Sequence, residues 1–416
     1  MDLFIMVFTA VTYLINSRLG ALLLLLAAAY YMFVTKGSIY ERLLRLIVYS
    51  TPYYSFDIFG GRQRLSLCIA AVAVLCILLT LNLLKRGAQV LVGAACKAVL
   101  LMIFLAAYFL SVWGSYASKE TVFATYQLVI LAYLTFIIPV SKDEELQSVN
   151  TEALMKLFIK GSCAVAITLY IQYGAHVLFG VYLGEVYEYN SDRVIYNVCF
   201  YAKSVLSLYM SVGMLYFFIG YVNQKRVKDI LWLALFGGAF LINNSRTGLV
   251  CFAVCAGLYC LRNFRKIVSS IRVLVMLILV AVVGIYVIQF MLESRTGLKG
   301  FVDDNGRFEP IMEALRLLPR YIFAGIGGSA ADYLRSSMGV SIHNFFVAYL
   351  IQFGVFGGLV VNALVLSPMA DLKNRYWYYL CCVIMGGMLF ANWHNSLYIV
   401  PLYLFVLLED RAAYHS

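Results

Sequence analysis

The chain has 416 residues, 63% of them hydrophobic and only 13% charged, with 32 Lys and Arg against 21 Asp and Glu for a formal net charge of +11. A mean hydropathy of +0.86 excludes a soluble globular domain and requires the bilayer as solvent. Backbone groups in lipid are satisfied only within helices or closed barrels, and long apolar runs without period-two alternation select helices.

In chain order the predicted spans are 3–15, 19–35, 39–52, 65–84, 92–112, 121–140, 154–177, 196–222, 229–243, 247–261, 271–291, 344–366, 376–391 and 395–408. They describe an all-α polytopic membrane protein of about 12–14 transmembrane helices, read as one integral-membrane domain over 1–416. The runs 3–15, 39–52, 229–243, 247–261 and 395–408 fall short of the ~17–25 residues that cross upright, and are expected to be kinked, locally thinned or partly re-entrant. The first run lacks a basic leader and a small-residue cleavage site, so it is expected to stay in the protein.

If the spans alternate, the clusters Lys36-Arg42-Arg45, Lys85-Arg86, Lys225-Arg226-Lys228, Arg262-Arg265-Lys266 and Lys373-Arg375 share one side, which the positive-inside rule makes cytoplasmic. The long loop 292–343 is then external, with balanced charge. Shorter external loops carry Arg62 and Arg64, Tyr187 to Arg193, Asn243 to Thr247, and Trp393 to Asn395. The net positive charge is mostly this cytoplasmic bias, so no nucleic-acid partner is expected.

The ten cysteines lie in or beside apolar runs without a CxxC pair, and only four histidines exist, at 176, 343, 394 and 415. No residues stand at metal-ligand spacing, and neither a metal nor any other cofactor is expected. There is no phosphate-binding glycine motif of the nucleotide type, so the energy of any reaction must come from an activated substrate or a gradient. Chemistry concentrates in the polar segment that holds Gly306-Arg307, Arg316, Arg320, the run Gly325-Ile-Gly327-Gly328 and His343-Asn344.

Asn244-Ser245-Arg246-Thr247-Gly248 opening an apolar helix, then Gly306-Arg307, Pro319, Gly325-Ile-Gly327, and His343-Asn344 followed by Gly354 and Gly357, is a series that resembles the O-antigen polymerase and O-antigen ligase superfamily in order and spacing. The resemblance covers about 243–358; before that it rests on hydropathy alone. It implies a GT-C-like, multi-pass glycosyltransferase of the bacterial inner membrane, with the loop 292–343 and the active site facing the periplasm. It also implies undecaprenyl-diphosphate-linked oligosaccharides as donor and acceptor, membrane lipid around them, a chain-length regulator protein as partner, and no metal.

The chemistry suits these residue types. Guanidinium forks match phosphate oxygens two at a time without a divalent ion, so Arg193, Arg246, Arg307 and Arg320 are the candidate diphosphate binders. His343 is the candidate base for the attacking sugar hydroxyl, with Arg246 beside it in the catalytic set. A single displacement predicts anomeric inversion. Blander roles stand beside these: Arg246 as a snorkelling hairpin charge, His343 as a polar residue before the cap Asn344, Arg193 and Arg320 as partners of Asp192 or Glu313, and the run 325–328 as a turn. The polymerase reading is set against a ligase that transfers glycan to the lipid A core, and against a transporter or lipid flippase, which would be expected to carry charged residues in mid-helix.

Overall fold

The computed structural model describes residues 2–53, 66–87, 94–113, 118–141, 143–184, 186–189, 193–198, 200, 203–293, 308–323, 325–326, 342, 344–388 and 399–415. Each predicted apolar run contains a helix. In order these are α1 (Asp2–Ile15), α2 (Ser17–Ala29, continued by a π-helical turn to Val34), α3 (Ile39–Ser50), α4 (Leu67–Arg86), α5 (Ala94–Trp113), α6 (Ser118–Val140), α8 (Thr151–Phe179), α9 (Lys203–Gln224), α10 (Val227–Asn243), α11 (Arg246–Arg262), α13 (Ile271–Glu293), α15 (Phe345–Leu366), α16 (Trp377–Gly387) and α17 (Ile399–His415). Three short helices intervene, α7 (Glu144–Gln147), α12 (Phe264–Val268) and α14 (Phe308–Leu317).

Among the described residues, six helical stretches are long and apolar enough to cross a membrane: Ser17–Val34, Leu67–Arg86, Cys96–Trp113, Thr151–Phe179, Lys203–Gln224 and Phe345–Met369. The chain is a multi-pass, all-α membrane protein. One departure from helix is a two-stranded antiparallel hairpin, β1 (Val186–Tyr189) and β2 (Arg193–Tyr196), in register Val186 opposite Tyr196 and Tyr189 opposite Arg193. The signal for it was legible: Val-Tyr-Glu-Tyr and Arg-Val-Ile-Tyr flank Asn190-Ser191-Asp192, two β-rich runs around three turn formers.

The chain forms two compact units. One comprises Met1–Ala27 with Lys156–Asp304, the other Ala28–Met155 with Asn305–Ser416. In the first, α9 is the core helix, buried on nearly every face from Val205 to Val222 and packed against α10 and α11. A helix apolar all round can sit only inside a bundle or in lipid. Polar contacts tie α8 to α9 and α10, with the Ser162 hydroxyl donating to the Tyr209 carbonyl at 3.1 Å and the Tyr170 hydroxyl donating to the Leu235 carbonyl of α10 at 2.9 Å.

In the second unit α5 packs against α6 and α15, α3 against α4, and α17 against α6 and α16. A polar network closes one end. Asn82 at the close of α4 donates to Asp143, and to Tyr40 of α3 at 3.4 Å. Arg375 donates to Thr151 at 2.7 Å and pairs with Glu409 at 2.8 Å, and Asn374 donates to Asp410 at 2.6 Å. The basic clusters at 36–45, 85–86 and 373–375, grouped by alternation alone, border this network.

Burial pushes the Asp410 carboxyl up to about 6, Asp371 and Glu409 adding to the shift, against the opposing pull of the Asn374 hydrogen bond and Lys97. The folded state therefore favours protonated Asp410. That stabilisation is complete below the unfolded value near 3.8 and is lost as pH rises through about 6. Asp410→Asn keeps the acceptor for Asn374 and removes the charge, so in detergent its thermal transition should exceed that of wild type at pH 7.5 and converge on it near pH 4. A variant less stable at pH 7.5 would show that the carboxylate is held charged by its neighbours.

Candidate functional site

The turn between α10 and α11 carries the cation that the sequence singles out. α10 ends at Asn244, whose backbone is left-handed at φ 50°, a conformation that Asn tolerates better than most side chains. Ser245 follows in extended conformation at the N-cap of α11, and Arg246 is the first helical residue, half-buried. The Ser245 side chain does not cap its own helix. The Ser207 hydroxyl of α9 instead gives its proton to the Ser204 carbonyl at 2.7 Å, and so accepts from the Ser245 hydroxyl at 3.0 Å and from the Gly248 amide at 3.2 Å.

Ser207 thus satisfies a first-turn amide of α11 from outside the helix. Gly248 is required by the same approach, because a Cβ there would run into the Ser207 carbonyl. The motif Asn-Ser-Arg-Thr-Gly is therefore a docking surface for α9 that fixes where Arg246 emerges, at the positive end of the α11 dipole.

Asn243 is a residue that sequence reasoning missed. It is 2% exposed, and neither amide atom has a hydrogen-bond partner among the described residues. An unpaired buried amide costs about 1–3 kcal/mol. Its place three residues before Arg246 gives the turn an unused donor and acceptor beside a cation. The only sequence clue was two adjacent asparagines where one suffices for the turn.

At the same unit's hairpin the backbone of Arg193 pairs with Tyr189 in β2, and β2 packs on α10. The end of α8 builds an aromatic cluster there. His176 Nδ1 and the Tyr196 hydroxyl are 2.5 Å apart, the His176 ring stacks on Tyr182 at 4.5 Å, and Tyr173 meets Tyr196 edge-on at 5.6 Å. Gln172, fully buried, donates to Leu183 at 2.7 Å and accepts from Val198 at 3.1 Å. Among the described residues no group of His, Cys, Asp and Glu could hold a metal ion.

In the second unit Arg320 is exposed at the end of a 3-10 turn, Leu318–Arg320, that follows α14. Glu313, a suggested partner for it, pairs with Arg316 at 3.4 Å instead. The i to i+3 spacing on α14 brings Arg316 and Glu313 onto one face, while Ile311, Ala314 and Leu318 pack with Ile342 and Ile351. Arg307 and His343 lie outside the described residues. Asn344, next to His343, is described: it caps α15, accepting from the Val347 amide at 3.2 Å.

The run expected as a single span over 344–366 is broken. Gly354 has φ 78° and ψ 168°, a backbone that favours glycine, and it divides α15 into two helical halves. The halves fold back on each other. Asn362 donates to the Phe346 carbonyl at 3.2 Å, and Gly358 lies against Leu350 and Tyr349. Groups freed by the break are taken up by the segment after α14: Ile326 donates to Ile351 at 3.0 Å, and Val355 to Tyr321 at 3.1 Å. Ser111 of α5 donates to the Gln352 carbonyl at 3.0 Å. Gly325 sits so close to Gln352 and Gly354 that a Cβ would collide with their backbone. The glycines at 325 and 354 therefore serve one main-chain contact, while Gly327 and Gly328 lie outside the described residues.

Ser207→Ala should lower stability by about 1–2 kcal/mol, since it strands the Gly248 amide and the Ser245 hydroxyl. Asn243→Leu should hold or raise stability by removing an unpaired amide. Thermal unfolding of both variants in detergent checks this. The reverse order would mean that Asn243 is already satisfied and Ser207 dispensable.

No curated protein and no solved structure matches the chain. A family model described as O-antigen ligase matches residues 230–361, from α10 through the broken helix α15. The match holds the Arg246 turn, α14 and the Gly325–Gly354 contact, and over these residues it supports the O-antigen ligase and polymerase superfamily of glycosyl-transferring enzymes.

Proposed function

We propose that this protein polymerises lipid-linked oligosaccharide repeat units of a surface polysaccharide at the periplasmic face of a bacterial inner membrane, with an undecaprenyl-diphosphate-linked glycan as donor. The observation that most supports this reading is the α10–α11 turn: a half-buried Arg246 at the start of a helix, beside the buried, unpaired amide of Asn243, inside the matched region. A guanidinium, a helix N-terminus and a spare amide suit a diphosphate.

In the proposed reaction the terminal hydroxyl of an acceptor repeat unit attacks the anomeric carbon of the donor glycan. A carbon–oxygen bond to the acceptor forms as the bond to the diphosphate breaks. The bonding pair leaves with the diphosphate, whose charge Arg246 stabilises together with Arg193, Arg307 and Arg320, and the hydroxyl proton passes to His343. Inversion at the anomeric carbon follows from a single displacement. The reaction consumes the donor's own bond energy and asks nothing of a nucleotide or a metal. As in the sequence reading, a chain-length regulator is the expected protein partner.

Purified protein in nanodiscs, given only undecaprenyl-diphosphate repeat units, should build longer lipid-linked glycans. Arg246→Ala should lose about 100–1000-fold in rate, the usual cost of one preorganised charge donor, with Arg246→Lys recovering part of it. Full activity in Arg246→Lys would return the residue to a solvated hairpin charge. Asn243→Leu should slow transfer while keeping the fold. Movement of glycolipid across liposomes with no elongation would favour the transporter.

The family description favours the ligase as the second reading. Deleting the gene in its host separates the two. A polymerase leaves surface lipid capped with one repeat unit; a ligase leaves bare lipid and long carrier-linked chains.

A further inference from the structure

The folded-back helix α15 has a consequence for where its first half lies. Nine residues from Phe345 to Phe353 rise about 13.5 Å, and the twelve after Gly354 about 18 Å, against a hydrocarbon core of ~30 Å. Neither half crosses upright by itself. Their contacts with α5 fix the level of the bend: Ser111 meets Gln352, and Phe104 and Tyr108 pack on Phe353 at 5.9 and 6.4 Å. α5 ends two residues later in Trp113, which is 92% exposed, and around the bend Phe323, 78% exposed, stacks on Phe356 at 5.7 Å. An exposed Trp at a helix end suits the membrane–water interface.

The bend therefore stands at a membrane surface, and the chain descends from it towards the end of the unit closed by the Asn374–Asp410 network. Asn362 lies eight residues below the bend, about 12 Å deep at the helical rise. The hydrogen bond from Asn362 to Phe346 then places the first turn of α15 at the same depth.

We propose that Phe345–Phe353 is a re-entrant helix, entered from within the membrane and rising to the surface at Gly354, and that Asn362 is the positioning residue that fixes its first turn. In lipid the Asn362 amide has few alternative acceptors, so the contact is more than a surface hydrogen bond. The amide spends its Nδ2 on that carbonyl, while its buried Oδ1 has no partner among the described residues. Because the turn begins directly after His343, the consequence for turnover rests on the glycosyl-transfer reading above; the re-entrant geometry does not.

The geometry is tested with the double variant Phe346→Cys and Asn362→Cys in full-length, cysteine-free protein in native membranes. Mild oxidation, or a short bifunctional maleimide, should join the two thiols, read by mass spectrometry of the linked peptide. In one unbroken helix these positions would stand about 24 Å apart and could not be joined. Absence of the link in folded, membrane-inserted protein overturns the re-entrant helix whatever the enzyme does. The positioning role is read from kinetics in nanodiscs: Asn362→Leu should lower kcat about tenfold with KM changed less than twofold, and Asn362→Gln should recover part of the loss. Wild-type kcat in Asn362→Leu, with the cross-link intact in the double variant, overturns the positioning role and leaves the geometry standing.

Discussion

A backbone N–H or C=O exposed to hydrocarbon costs several kcal/mol, and two breaks in the helical pattern among the described residues carry an answer to that cost. At the α10–α11 turn the answer is Ser207, which takes up a first-turn amide of α11 from a neighbouring helix. At Gly354 it is the backbone of Tyr321 to Ile326 together with Ser111. In both places polar main chain survives because another element was shaped to meet it, by a serine in one case and by a glycine-permitted approach in the other. Parts of the motif series fall at both places, Asn244 to Gly248 at the first and Gly325 with Gly354 at the second.

Motif residues here divide by what they do physically. Gly248, Gly325 and Gly354 answer steric demands of close backbone approach or left-handed conformation. Ser245 spends its hydroxyl on Ser207. Among the described residues the Asn243 amide is left with hydrogen bonds to offer. A buried amide without a partner is a poor choice for stability alone, since an apolar residue of similar shape would serve the fold as well or better.

The helices of the apolar runs were legible because lipid is an undemanding reader: a long apolar run must be helical whatever it packs against, so no knowledge of tertiary contacts was needed for them. What escaped prediction depends on partners far away in sequence. The break at 354 could not be seen in Phe345–Leu366, whose composition is that of a good span. It exists because residues 321–326, some thirty positions earlier, supply the hydrogen bonds that a helix would otherwise supply to itself. Helix α14 was hidden in a loop by its charges, although Ile311, Ala314 and Leu318 keep helical spacing. Arg246 was found from its motif. Asn243 was not, because nothing in a sequence distinguishes a satisfied asparagine from an orphaned one.

The same logic bears on how the long loop is held. A loop of some fifty residues between membrane helices costs conformational entropy to order, and a defined position for its end near Asn344 needs contacts that offset that cost. The structure provides two anchors of different kind. One is apolar, with α14 laid by its hydrophobic face on Ile342 and Ile351. The other is directional, with Tyr321, Ile322 and Ile326 hydrogen-bonded to the backbone on both sides of the Gly354 bend. Apolar packing alone tolerates sliding, whereas main-chain hydrogen bonds fix register. The loop is thus tied to the very bend from which the first half of α15 hangs, so a displacement of the loop would be transmitted to the turn at Asn344 through two peptide contacts and nine residues of rigid helix.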